Sequence, residues 1–170
     1  MKENLLILGA GQYGKVALDI ARAMNSFDRI DFLDDEKDVA IGSFQDYQKF
    51  ADTHRNAVVA IGNPSDRIQW LEALKESGFV PAKLIHPTAV ISSAASLEAG
   101  TIVEPMVVVH PGAVVGKGCI LSAGAVVNHD SVVEEGCHVG CNASIASDAT
   151  LPRFSKVENN TSFREDESSN

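Results

Sequence analysis

A chain of 170 residues, 45% apolar and 22% charged, is long enough to bury one ordinary core or two small ones and has the balance of a globular protein. A formal net charge of −9 repels phosphate backbones and excludes a nucleic-acid partner, and no apolar run approaches the roughly 18 residues of a membrane span. Three cysteines, Cys119, Cys137 and Cys141, do not make a disulfide framework, and without a signal-peptide pattern the expected location is the cytoplasm.

Residues 1–82 alternate strand and helix signals. Leu5-Leu6-Ile7-Leu8 is a short apolar run that stops at Gly9-Ala10-Gly11. Over residues 14–25, Val16, Ala17, Ile20, Ala21 and Met24 fall on one face of a helix. A second strand, Ile30-Asp31-Phe32-Leu33, ends at Asp34-Asp35. Residues 44–53 read as helical, and a third strand over residues 57–61 is ended by Gly62-Asn63-Pro64. A last helix is predicted from an N-cap at Ser65 to a stop at Gly78, with a fourth strand near residues 79–85. This alternation predicts a small, Rossmann-like α/β domain with a parallel sheet.

From residue 83 the pattern changes. An aliphatic residue recurs every six positions at Ile85, Ile91, Leu97, Val103, Val109, Val115, Leu121, Val127, Val133, Val139, Ile145 and Leu151. A small residue follows most of them by four, as at Ala113, Cys119, Ala125, Ser131, Cys137 and Ala143. A helix repeats every 3.6 residues and a strand every 2, so neither makes a strict six. Three hexads close a triangular coil, with the aliphatic residue inside and the small one beside the turn. Stacked coils, about 4.8 Å apart, bury a core that no single repeat can. The pattern predicts a left-handed parallel β-helix of about four coils over residues 83–156, followed by a polar, acidic, unstructured tail over residues 157–170.

Gly9-Ala10-Gly11-Gln12-Tyr13-Gly14 fits G-x-G-x-x-G between a strand and a helix. Such glycines let backbone N–H groups approach a phosphate at the helix N-terminus. Asp34 and Asp35 follow about 20 residues on, where a carboxylate commonly meets a ribose. A nucleotide, a nucleotide sugar or NAD would each suit the motif alone. In the β-helix, His129 falls two places after the inward Val127, which puts it at an outer corner with Asp130 beside it. Imidazole accepts protons near neutral pH and a neighbouring carboxylate can orient it, although a solvent-facing histidine has the same local sequence. His110, His129 and His138 stand 19 and 9 residues apart, which does not fit the ligand spacing of β-helical carbonic anhydrases, so no metal is expected. Cys119 and Cys137 serve as the small residue of the repeat.

A Gly-rich α/β half, an Ile85-His86-Pro87-Thr88-Ala89-Val90 junction, and hexapeptide repeats holding Asn128-His129-Asp130 together resemble the sialic-acid O-acetyltransferase-like sugar acyltransferases. That family includes the N-acetyltransferases of UDP-4-amino-sugars in bacterial glycan synthesis. Leu33-Asp34-Asp35 and Ala60-Ile61-Gly62-Asn63 with Arg67 add to the likeness. The resemblance implies an acetyl-CoA-dependent sugar N- or O-acetyltransferase with His129 as general base assisted by Asp130. It implies acetyl-CoA contacts at His138 and Ser147. It implies nucleotide-sugar contacts at Gly9, Gly11, Gln12, Tyr13, Gly14, Asp34, Asp35, Gly62, Asn63 and Arg67. It further implies a homotrimer with sites between neighbours. The competing expectation is a shortened, non-catalytic trimeric relative that binds the nucleotide sugar but lacks a complete CoA site, since the repeats fade after Leu151.

Overall fold

The computed structural model describes residues 3–165. Four parallel strands, β1 (Glu3–Leu8), β2 (Phe27–Leu33), β3 (Asn56–Val59) and β4 (Val80–Pro81), lie in the order β2-β1-β3-β4. The central strand β1 is apolar on both faces because both are covered. Leu5 and Ile7 pack with helix α1 (Gln12–Met24), while Leu6 and Leu8 pack with helix α2 (Pro64–Glu76). Residues 44–50 form a 3-10 helix closed by a capping box between Ser43 and Asp46, shorter and tighter than the expected helix over 44–53. The N-cap of α2 is Asn63, not Ser65: its side chain accepts from the Asp66 N–H at 3.1 Å, and Pro64 at the next position needs no partner for a missing N–H.

Beyond β4, fourteen two-residue strands recur every six residues from Leu84–Ile85 to Ser162–Phe163 and stack as three parallel sheets, the left-handed β-helix expected. The first sheet carries Leu84–Ile85 and its successors to Lys156–Val157. The second carries Val90–Ile91 and its successors to Ser162–Phe163, and the third Ser96–Leu97 and its successors to Thr150–Leu151. Register is set by one coil of 18 residues, so Val126 pairs with Val108 below and Ser144 above. The aliphatic positions fill the prism and the small ones are buried beside the turns. Where that small residue is a hydroxyl, it donates three residues back, as Ser131 Oγ does to the Asn128 carbonyl at 2.6 Å, and no buried side-chain polar atom among the described residues is left without a partner.

The β-helix is longer than expected. Val157 is buried and Phe163 packs on the core, so the coil runs through residue 163, and the boundary placed at residue 156 cuts through a strand. The outward residues there are polar only because they face water. Asn159 Oδ1 accepts from the Cys141 N–H at 2.8 Å and Ser162 Oγ shares a hydrogen bond with Ser144 Oγ at 2.7 Å. The last five residues of the expected tail lie outside the described residues.

The α/β half sits on the first sheet. Leu84, Ile102 and Ile120 on its outer face join the core around α1. Arg67 in α2 is 1% exposed and reaches into the corners of the β-helix. Its Nε donates to the Gly118 carbonyl at 2.7 Å and one Nη to the Gly136 carbonyl at 2.7 Å. The other Nη donates to the carbonyls of Ile61 (2.9 Å) and Gly62 (3.1 Å). Burial pulls its pKa down, yet a guanidinium keeps its charge, and the carbonyl oxygens compensate it. Lys117 adds an outer brace by pairing with Glu72 of α2 and with Glu135 at 3.3 Å.

Replacing Arg67 by Met should leave several buried carbonyls without donors and lower stability by about 3 kcal/mol or more. Arg67→Lys should recover little of this, because an ammonium cannot fork to four carbonyls. Urea unfolding measures the loss, and limited proteolysis should cut the α/β half first.

Candidate active site

The glycine turn after β1 shapes a cleft of about 380 Å³ at the C-terminal ends of β1, β2 and β3, lined by Gly9, Gly11, Gln12, Tyr13, Asp34, Asp35 and Gly62 among others. Gly9 has φ +104° and a side chain there would meet the Ala60 carbonyl oxygen at 2.7 Å. A Cβ on Gly14 would lie 2.1 Å from the Gly9 oxygen. These two glycines serve the close approach of turn, helix and β3, whereas a Cβ on Gly11, the N-cap of α1, would meet nothing within 4 Å. Asp34 grips the same turn: Oδ2 accepts from the Ala10 N–H at 2.7 Å and Oδ1 from the Glu36 N–H at 2.9 Å. Burial works to raise its pKa, but the amides of Ala10, Glu36 and Lys37 outweigh it and hold the carboxyl below its ordinary value. Asp35 accepts from the Phe44 N–H at 3.0 Å.

Three expected substrate contacts are placed elsewhere. The Arg67 guanidinium is buried on carbonyls and cannot turn to the cleft, and the Asn63 side chain is committed to capping α2. Gly14 belongs to packing and does not line the cleft. The cleft instead adds Lys37 and Phe44, which lie beyond the strand end where the motif search stopped. Their signal was a basic and an aromatic residue in the loop that Asp35 folds back.

Tyr13 forms the wall between this cleft and the β-helix. Its hydroxyl lies 3.4 Å from His138 Nδ1, its ring meets the imidazole edge-on at 5.5 Å, and Ser122 Oγ holds His138 Nε2 at 2.9 Å. A neutral imidazole offers one donor and one acceptor, which matches two hydroxyls. Burial pushes the His138 pKa down to about 4, helped by the nearby charges of Arg67 and Lys156. Burial also raises the Tyr13 phenol, so both partners are neutral near pH 7.

His129 and Asp130 occupy a different part of the molecule, the corner between the second and third sheets, with side chains 53% and 64% exposed. Asp130 Oδ2 lies 3.0 Å from His129 Nδ1. A carboxylate there selects the tautomer with the proton on Nδ1 and leaves Nε2 free to accept. One coil on, Asp148 takes the position equivalent to Asp130, and donor atoms of His129, Asp130 and Asp148 lie within 4.8 Å of one another. These are groups a cation could share, and Asp148 was missed although it stands 18 residues after Asp130, one coil in the repeat. Ser147 lies beside it in an open hollow of about 370 Å³ with Asn128, Ser144, Ala146, Ser162 and Arg164. The first sheet, with His138 and the α/β half, is the face opposite this corner. One chain therefore does not bring His138 together with Ser147, nor the cleft together with His129.

A three-sided β-helix of hexapeptide repeats with a histidine–carboxylate pair at one corner is thus joined to a small α/β domain with a glycine-turn cleft. Residues 4–74 match the family described as PglD N-terminal domain. The acetyltransferase domain of PglB from Neisseria gonorrhoeae, solved with acetyl coenzyme A, is 28% identical, covering 96% of this chain and 83% of that one with a TM-score of 0.92. The fold is shared by a histidine mutant of the GDP-perosamine N-acetyl transferase of Caulobacter crescentus, solved with CoA and GDP-perosamine (22% identity, 94% of this chain and 81% of that one, TM-score 0.84). It is shared too by WeeI from Acinetobacter baumannii (15% identity, 94% and 91%, TM-score 0.68). The N-terminal part of the chain thus matches the PglD N-terminal domain family, and the chain as a whole is similar to the acetyltransferase domain of PglB. None of its described helices is long and apolar enough to cross a membrane.

The depressed pKa of His138 has a consequence for stability. The unfolded chain takes up a proton on this ring near pH 6.5, whereas the folded chain resists until about pH 4. The stabilising contribution of the neutral ring is present above pH 6.5 and is lost as pH falls toward 4. The urea midpoint should decline over that window, with His138→Gln flattening part of the slope, and the His138 ring should titrate near pH 4 by NMR.

Proposed function

We propose that this protein transfers the acetyl group of acetyl-CoA to the amine of a nucleotide-linked amino sugar. The observation that carries this reading is His129 held by Asp130 at an exposed corner, with no partner on its other ring nitrogen among the described residues. The glycine-turn cleft suits the nucleotide sugar. Gly11, Gln12 and Tyr13 present the N-terminus of α1 to a diphosphate, Lys37 supplies a cation, and Asp35 stands at the end of β2 where a ribose would meet it. The hollow around Asn128, Ser144, Ser147, Ser162 and Arg164 offers an amide, hydroxyls and a guanidinium, donors that fit the amides and phosphates of CoA. The coil continues past Leu151 to residue 163 and supplies Ser162 and Arg164, which supports this reading over a shortened, non-catalytic relative.

Acetyl-CoA supplies an acyl group activated as a thioester. His129 Nε2 takes a proton from the sugar amine as its nitrogen bonds to the acyl carbon, and Asp130 stabilises the imidazolium that results. His129 then returns the proton to the departing CoA sulfur, so the products are the sugar amide and free CoA thiol. Backbone N–H groups at the β-helix corner serve the oxyanion. Because the cleft and His129 lie on opposite sides of one chain, the reading requires a homotrimer in which one subunit's cleft faces its neighbour's His129. Exposed Val90 and Val114 on the second and third sheets and Met106 at a corner, 63%, 37% and 66% exposed, support such association.

CoA thiol release, measured with UDP- and GDP-linked 4-amino-sugars, tests the reading. Release should need both substrates and fall about 10²–10⁴-fold in His129→Ala. Unchanged release in that variant would remove His129 from the chemistry.

A further inference from the structure

We infer that Asp148 is a second carboxylate partner of His129, a positioning residue that, together with Asp130, holds the imidazolium formed during transfer. This rests on the acetyltransferase reading and adds a residue to its site. The β-helix turns one residue into the left-handed region every six positions, with φ between 53° and 76° at Gly100, Met106, Gly112, Gly118, Gly124, Asp130, Gly136, Asn142, Asp148, Phe154 and Asn160. Backbone geometry at these positions favours glycine and asparagine, and seven of the eleven are one or the other. Carboxylates occur at two only, Asp130 (φ 57°) and Asp148 (φ 61°), which are successive members of one stack and flank the same histidine.

The placement is fixed by more than the side chains. The Asp148 N–H donates to the His129 carbonyl at 3.2 Å, which ties the second carboxylate's backbone to the histidine's own residue. The Asp130 carboxylate leans over Gly112 in the coil below, where a Cβ would lie 2.2 Å from Oδ1. Asp130 therefore has room on one side and Asp148 above it on the other. A charge appears on the ring only after the proton moves, so a second anion within reach favours the transition state more than the bound substrates. Two exposed carboxylates one coil apart repel each other, and a proton on the ring puts a cation within reach of both.

Asparagine at position 148 keeps the size and suits the left-handed backbone at least as well, while removing the charge. A purely structural role therefore forecasts no loss in Asp148→Asn. The proposal forecasts a kcat about tenfold lower, with KM for sugar and acetyl-CoA unchanged and thermal stability equal to wild type, and partial recovery in Asp148→Glu. A second readout does not depend on activity. Zn²⁺ titrated into the full chain by calorimetry reports whether the three donor groups converge, and its affinity should drop about tenfold or more when Asp148→Asn removes one ligand. Wild-type kcat in Asp148→Asn overturns the proposal, and so does zinc affinity unaffected by the substitution. If the wild type transfers acetyl to no acceptor while Asp148→Asn still weakens zinc, the acetyltransferase reading fails and the convergence of the three groups stands.

Discussion

Four backbone carbonyls, two from the loop after β3 and two from successive corners of the β-helix, converge on the Arg67 guanidinium. A buried charge costs several kcal/mol unless its hydrogen bonds are met, and here the planar fork meets carbonyls that would otherwise lack donors. The loop it binds, Ile61–Gly62, lines the cleft, and the corners it binds lie beside the face that carries His138. The clamp therefore sets the distance between the glycine turn and the β-helix, and the Tyr13–His138–Ser122 contacts depend on it.

The same docking divides the surface of the prism. One sheet is covered by the α/β half, and the corner opposite it remains in solvent with His129, Asp130 and Asp148. The two histidines of interest consequently have different roles available to them. His138 is desolvated, faces two hydroxyls and is held neutral, which suits hydrogen bonding to an uncharged group. His129 stands in solvent beside two carboxylates and hydrogen-bonds one of them.

The β-helix also shows how a repeat separates structural demand from chemistry. Inward positions must be aliphatic and turn positions must tolerate positive φ, and both demands are met along the whole array. Residues that meet the turn demand with a carboxylate stand out against that background. Those that meet it with a large apolar side chain also stand out, and each is placed: Phe154 packs against Ile68 on the α2 side, whereas Met106 projects into solvent.

Periodicity alone determined that residues beyond 83 coil in sixes, because a side chain's inward or outward direction is a local property of the backbone and repeats without reference to anything distant. The α/β alternation, the glycine turn and the place of His129 at a corner were legible for the same reason. The extent of the coil past Leu151 was obscured because composition reports outward polarity as well as inward burial, and Val157 and Phe163 carried the repeat within polar surroundings. Only the tertiary structure decided that Arg67 clamps two domains, that Tyr13 meets His138 across 125 residues of sequence, and that Asp148 stands over Asp130. It also decided that the cleft and the corner histidine face away from each other. Each of these depends on which sheet of the prism the α/β half covers, and that is settled by packing between Ile102, Ile120 and α1, contacts that no local pattern encodes.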